Sequence, residues 1–288
     1  MRVTLIQYDV VLADKEANRR KAEEGIRRGA GSDLYLLPEM FSTGFIIHPE
    51  GLAEEEDSDT ILWMKRMARE MDAAICGSLA MKVKMKENVN VNVNVNNSPT
   101  HQLTNSPTHQ NDVRYFNRMY FVRPDGSVST YDKAHLFVYG GEGIHFTAGT
   151  SRTIVEWRGV KILLQVCYDL RFPMWSRNSV DKEGNTLFDM IVYSAEWPTA
   201  RQLAWETLPI ARAIENQCFV AACNRVGHDG FGDYNGASRL IHPYGHVLAE
   251  GPLNKECEIT GEIDMDQLLR YREKFPTLND IIWTKDYC

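Results

Sequence analysis

Hydrophobic and polar positions fall into alternating blocks along the chain, and the blocks predict strands and helices in turn. Residues 3–8 are apolar and β-branched, and residues 14–28 are polar and helix-favouring. Residues 34–37 form a short apolar run that stops at Pro38. Ile61, Met64, Ala68 and Met71 recur at helical spacing, with Ser58 or Asp59 placed to cap the helix they predict. Residues 73–80 read as a buried strand. Residues 115–122 and 128–131 flank Pro124-Asp125-Gly126, whose residue types favour a tight turn, so the three together predict a hairpin. The second half repeats the logic, with strands over 160–167, 189–194 and 219–222, a helix over 200–216, a hairpin over 240–248 turned at Pro243-Tyr244-Gly245, and a last strand over 258–263. No linker-like shift in composition divides these elements, which favours one α/β domain. Many of the strands lack strict alternation, which points to sheets covered on both faces, in layers.

A length of 288 residues fits two modest domains or one large one, and the block pattern selects the second. The chain is 43% apolar and 25% charged, the make-up of a globular protein with material for a sizeable core. With 32 basic against 39 acidic residues the net charge is −7, which offers no footprint for nucleic acid. No apolar run is long enough to span a membrane. Met1-Arg2-Val3 runs straight into a strand-like segment with no leader pattern, so a cytoplasmic location is expected. The six cysteines, at 76, 167, 218, 223, 257 and 288, contain no C-x-x-C pair, and neither a disulfide framework nor a metal site is expected. Cys76, Cys218 and Cys223 lie in apolar runs and read as core.

Three strand patterns end on an ionisable residue: Pro38-Glu39-Met40-Phe41, Tyr131-Asp132-Lys133 and Val166-Cys167-Tyr168-Asp169. In layered α/β proteins the ends of strands are where loops converge on a rigid scaffold to build sites. A carboxylate, an ammonium and a thiol gathered there make coherent chemistry. The thiol attacks a carbonyl carbon, the carboxylate takes and returns its proton, and the ammonium stabilises the oxyanion together with the backbone N–H of the next residue, Tyr168. Taken singly, each residue reads equally well as a turn cap, a solvated lysine or a core cysteine.

The ordered triple, with Val166-Cys167-Tyr168-Asp169-Leu170-Arg171-Phe172-Pro173 as its third member, resembles the signature regions of the nitrilase superfamily of carbon–nitrogen hydrolases over nearly the whole chain. The resemblance implies Glu39 as general base, Lys133 as oxyanion stabiliser and Cys167 as nucleophile. It also implies a second glutamate ahead of a Phe-x-Ala/Pro-Gly segment, for which Glu142, before Phe146-Thr147-Ala148-Gly149, is the candidate. The implied fold is a four-layer α-β-β-α sandwich that pairs into homodimers through an outer helical layer, working without metal or cofactor. His135, two residues from Lys133, invites a Cys–His reading, which the family pattern argues against.

Residues 167–178, Ser194-Ala195-Glu196-Trp197-Pro198, residues 211–217 and Tyr271-Arg272-Glu273-Lys274-Phe275-Pro276 are similar to the bacterial ω-amidase branch. That likeness implies hydrolysis of the terminal amide of small 2-oxo dicarboxylic acid monoamides. Such a substrate carries a carboxylate, which a guanidinium fork matches. Arg171 is the best-placed candidate, with Arg225 as a rival, and ion pairing with Asp169 or Glu206 is the purely structural alternative. Trp197 is a candidate pocket wall, with core packing as its alternative, and no spacing argument separates a pocket role from a surface role for Glu196. Other carbon–nitrogen hydrolase activities, on N-carbamoyl amino acids or aliphatic amides, and a silent binding protein are the competing readings.

One stretch is unlike the rest. Residues 88–97 alternate Asn with Val, and Asn-Ser-Pro-Thr-His-Gln occurs at 97–102 and again at 105–110. Its position between predicted strands makes it an expanded hairpin tip, an insertion at about 84–112 in a domain spanning 1–274, with 275–288 as a tail.

Overall fold

The computed structural model describes residues 1–85 and 113–282, so the Asn/Val and NSPTHQ tract lies outside the described residues. In chain order the elements are β1 (Arg2–Gln7), α1 (Lys15–Arg28), β2 (Leu34–Leu36), α2 (Asp59–Met71), β3 (Ala74–Lys84), β4 (Val113–Val122) and β5 (Val128–Asp132). There follow a single helical turn, α3 (Glu142–His145), then β6 (Ile154–Trp157), β7 (Val160–Val166), β8 (Met190–Ser194), α4 (Gln202–Asn216) and β9 (Phe219–Cys223). The chain continues through β10 (Val226–Asp229), β11 (Gly232–Asn235), β12 (Arg239–Ile241), β13 (Val247–Glu250), β14 (Cys257–Glu262) and α5 (Met265–Lys274).

Two six-stranded sheets result, ordered β14-β1-β2-β3-β4-β5 and β13-β12-β9-β8-β7-β6, with β10 and β11 as a separate hairpin. In both sheets the central strands run parallel and the outer ones antiparallel. β1, β2 and β3 are parallel neighbours in the first, as β7, β8 and β9 are in the second.

The side-chain pattern explains the layering. Along β1, Val3 and Leu5 join Leu34, Leu36, Cys76 and Phe121 in one buried cluster with Ile162, Leu164, Val192 and Ala221 of the second sheet. The alternate positions Ile6, Tyr35 and Ile75 pack instead with Ala22 and Ile26 of α1 and Met64, Met67 and Ala68 of α2. Strand side chains point to opposite faces in turn, so this division places one sheet face against the other sheet and the other face against helices. Trp205 and Ala213 of α4 and Leu268 of α5 close the far side of the second sheet. The protein is thus a four-layer α-β-β-α sandwich, as expected.

The helices start where capping chemistry allows. The Asp14 side chain accepts from Ala17 N at 3.0 Å and that of Asp264 from Gln267 N at 3.1 Å, each satisfying an otherwise orphaned N–H. The hairpins at residues 124–126 and 243–245 form as predicted, with Gly126 and Gly245 at φ +84° and +85°. Five elements were not anticipated: α3, β6, β10, β11 and α5. The strands are four residues long and β10 and β11 carry Gly, His and Asp, while in α5 the apolar positions are diluted by charge. Beyond α5, Leu278 is buried and Gln217 donates to Phe275 O at 2.7 Å, so the first residues of the expected tail pack onto the same layer.

Candidate active site

The site forms where strands of both sheets end together. Glu39 follows β2, Lys133 follows β5, Cys167 follows β7, and Trp197 lies three residues beyond β8. All four line one cavity of about 390 Å³, within the range typical of small-molecule sites. There Glu39 and Lys133 meet Glu142, the first residue of α3, which itself lies outside the cavity lining. Lys133 Nζ lies 2.8 Å from Glu39 Oε1 and 2.8 Å from Glu142 Oε2, with all three side chains buried. Phe137 N donates to Glu142 Oε2 at 2.5 Å, and Glu196 N donates to Glu39 Oε2 at 3.1 Å.

Asn117, which the sequence did not single out, ties the two carboxylates together. Its Nδ2 donates to Glu39 Oε1 at 2.7 Å and to Glu142 Oε1 at 2.9 Å. A buried amide in the middle of β4, among Tyr, Phe and Met, was the available signal, since such a group needs partners.

Cys167 opens a short 3-10 turn, Cys167–Arg171, with φ +40°. A non-glycine residue in the left-handed region costs on the order of 1–3 kcal/mol and persists only where its surroundings hold it. Here it lets the chain turn sharply out of β7, with the thiol at the cavity and 3.9 Å from Glu196 O. Tyr168, next in the turn, also lines the cavity and contributes one of the N–H groups that the start of a helical turn leaves without an internal acceptor. Burial, and then the Glu39 carboxylate, push the Cys167 thiol well above its ordinary range, and Lys133 only partly opposes them. The resting sulfur is therefore a neutral thiol, held so by burial and by the Glu39 carboxylate. For Lys133 burial disfavours the charge, but Glu142 and Glu39 outweigh it and raise the pKa, so the side chain remains an ammonium. Burial raises the Glu142 pKa against the pull of Lys133.

The remaining sequence candidates separate cleanly. Arg171 lines the cavity with its guanidinium 4.8 Å from the Trp197 ring centre, and among the described residues it makes no ion pair. Asp169 is engaged elsewhere, accepting from Tyr131 OH at 2.8 Å, His135 N at 3.0 Å and Val166 N at 3.0 Å. Glu206 faces Gln202 and Arg239. Trp197 is both wall and core: it lines the cavity, is 3% exposed, and packs on Trp205. Arg225, the rival for the substrate carboxylate, is fully buried against Asp9, Glu196 and Asp229 and lies outside the cavity lining. His135 sits off the cavity as well, its Nδ1 2.8 Å from Asp169 Oδ1 and its ring stacked on Phe172, which removes it as an alternative base. Glu196 proves to be buried, with its carboxyl against Arg225 and Phe45 N and its backbone against both Glu39 and Cys167. A further cation, Arg201, lines the cavity without having been foreseen.

Among the described residues one group has metal-ligand types within reach of each other. His48, Glu50 and His145 have ligand atoms within 4.8 Å, on the surface outside the cavity, with Glu50 already bonded to His145 Nδ1 at 3.1 Å. The cavity itself gathers a thiol, an ammonium, the Glu39 carboxylate bound to that ammonium, and the Glu196 carboxylate bound to Arg225. This equips it for acyl transfer through a covalent thioester.

Residues 2–273 match the carbon-nitrogen hydrolase family, and the chain belongs to it. Among its relatives is the ω-amidase YafV of Escherichia coli strain K12, 40% identical over 281 residues that cover 97% of this chain and 96% of that one. The 2-oxoglutaramate amidase of Bacillus subtilis strain 168 is 34% identical over 283 residues, covering 97% and 96%. In structure the chain is similar to XC1258 from Xanthomonas campestris, a CN-hydrolase superfamily protein with an arsenic adduct in its active site. The TM-score is 0.85 with 37% identity, over 99% of this chain and 98% of that one. The protein is a hydrolase that acts on amides.

Proposed function

We propose that this protein is an ω-amidase, releasing ammonia from the terminal amide of small 2-oxo dicarboxylic acid monoamides such as 2-oxoglutaramate. The observation that carries the reading is a guanidinium, Arg171, that lacks an acidic partner among the described residues and faces the same cavity as the Cys167 thiol. A small molecule with an amide at one end and a carboxylate at the other fits that pair. The ω-amidase and 2-oxoglutaramate amidase activities of the full-length relatives support it.

In this reading Glu39 takes the proton of Cys167 as sulfur bonds to the amide carbon. The oxyanion is stabilised by Lys133 Nζ and the Tyr168 N–H. Collapse breaks the C–N bond, and Glu39 returns the proton to the leaving nitrogen, so ammonia departs and a thioester remains. Glu39 next deprotonates a water, which adds to the thioester carbon. A second collapse frees the acid and restores the thiol. Glu142 and Asn117 act as positioning residues, fixing the lysine and the base. Trp197 carries Arg171 and limits substrate length.

The same reading includes a cytoplasmic enzyme working as a homodimer. Free thiols at Cys76, Cys167, Cys218, Cys223 and Cys257 support the first. Exposed Leu203, Leu269 and Phe275 on the outer helical layer support the second. The decisive experiment is a substrate panel read by ammonia release. The expected outcome is a kcat/KM for 2-oxoglutaramate far above those for aliphatic amides and N-carbamoyl amino acids. Equal rates across the panel would overturn the assignment.

A further inference from the structure

Two guanidinium groups line the cavity, and neither Arg171 nor Arg201 forms an ion pair or a side-chain hydrogen bond among the described residues. Each lies over an aromatic face that also lines the cavity, Arg171 at 4.8 Å from the Trp197 ring centre and Arg201 at 5.0 Å from that of Phe137. The two supports are connected. Trp197 Nε1 donates to Arg201 O at 2.9 Å, so the indole that carries one arginine also anchors the backbone of the other. A guanidinium stacked on a ring has its face covered and its N–H edge left for in-plane acceptors. The third cation of the cavity, Lys133, is committed to Glu39 and Glu142. In the cavity lining Glu39 and Lys133 are thus matched with each other and Glu196 with Arg225, which leaves two cations without an acidic partner among the described residues.

From this arrangement we infer that Arg201 is the second arm of a two-arginine clamp, built with Arg171, that reads the whole 2-oxo acid end of the substrate. The inference rests on the ω-amidase reading and deepens it. A lone carboxylate offers two in-plane oxygens and saturates one fork. A 2-oxo acid offers a third, the keto oxygen, coplanar with the carboxylate and able to share a second fork with the nearer carboxylate oxygen. The corresponding 2-amino acid presents an ammonium at that position, and two guanidiniums lining the same cavity repel it. The clamp thus selects 2-oxo monoamides over glutamine-like ones as well as over neutral amides.

The test uses the full-length enzyme and three substrates: 2-oxoglutaramate, glutamine and butyramide. Arg201→Ala is expected to lower kcat/KM for 2-oxoglutaramate about 10- to 100-fold, the scale of a lost charge-assisted interaction. Butyramide, which has no group for the clamp, is expected to lose much less, so the ratio of the two collapses. Arg201→Lys is expected to fall in between, because it keeps the charge and loses the fork. Inhibition of butyramide hydrolysis by 2-oxoglutarate and by glutarate gives a second readout: in the wild type the keto acid binds more tightly, and in Arg201→Ala that advantage shrinks. A wild type that strongly prefers 2-oxoglutaramate, with a variant that loses activity equally on both amides or keeps the wild-type ratio, would overturn the clamp and leave the ω-amidase reading standing. A wild type with no preference for 2-oxoglutaramate over butyramide overturns both.

Discussion

The backbone N–H of Glu196 donates to Oε2 of Glu39 at 3.1 Å, a contact between residues 157 positions apart that joins the two sheets at the site. With Lys133 and Asn117 on Oε1, this leaves the Glu39 carboxylate three donors and one fixed orientation. In the proposed mechanism a carboxylate held this way is already oriented when the thiol must lose its proton. Glu39→Gln cannot accept a proton, and its amide nitrogen would be turned toward another donor. The expected loss in turnover is about 10²- to 10⁴-fold, the usual worth of a general base. Ammonia release at saturating substrate measures it, and near-normal turnover would place the base elsewhere.

Lys133 and Cys167 are expected to respond differently to removal. Cys167→Ala deletes the proposed nucleophile and little else, so ammonia release should fall to the detection floor while the melting temperature stays close to that of the wild type. Lys133→Met removes the cation between two buried carboxylates. Leaving a buried charge unpaired costs about 3–5 kcal/mol, so this variant is expected to lose both activity and stability. Activity assays alongside thermal melts separate the cases. Substantial turnover in Lys133→Met would assign oxyanion stabilisation to another group.

The layered fold was legible because it leaves a local mark in the apolar runs, whereas Glu39, Lys133 and Cys167, each ambiguous where its run stops, were joined into one cluster only by the ordered resemblance to the nitrilase superfamily. What escaped depends on distance. Asn117 touches Glu39 and Glu142 only once β4 lies in register between β3 and β5. Arg201 reaches the cavity because Trp197, four residues earlier, holds its carbonyl. Arg225 read plausibly as a ligand residue, yet three carboxylates from separated positions take it into the core. A free cation and a paired one look alike in a sequence, and only the fold tells which has partners.

Glu196 gives stability a pH dependence. Burial, opposed by Arg225, pushes its carboxyl from the ordinary 4.5 up to about 8. Between those values the unfolded chain has released a proton that the folded chain retains, so stability falls as pH rises through the window and levels off above it. Glu196→Gln matches the shape and is neutral throughout. The variant is therefore expected to gain melting temperature relative to the wild type as pH goes from about 5 to about 8, with no further gain beyond. A difference that stays constant across the range would mean that Glu196 titrates normally.

The last prediction concerns the Asn/Val and NSPTHQ tract, whose residues lie outside those described. The strands on either side are antiparallel neighbours in continuous register, from Ile75 opposite Val122 to Lys84 opposite Val113. Chain leaving Lys84 must only cross to the adjacent strand, a step of about 5 Å that a two-residue turn spans. Shortening a long connection also lowers its closure entropy, though each halving is worth only about 0.6 kcal/mol. Deleting residues 89–110 and closing the gap with Asn-Gly is accordingly expected to leave kcat/KM for 2-oxoglutaramate within a few-fold of the wild type and the melting temperature equal or slightly higher. A large fall in kcat/KM with an unchanged melting temperature would show that the tract takes part in substrate binding, and a large fall in both would show that it holds the hairpin together.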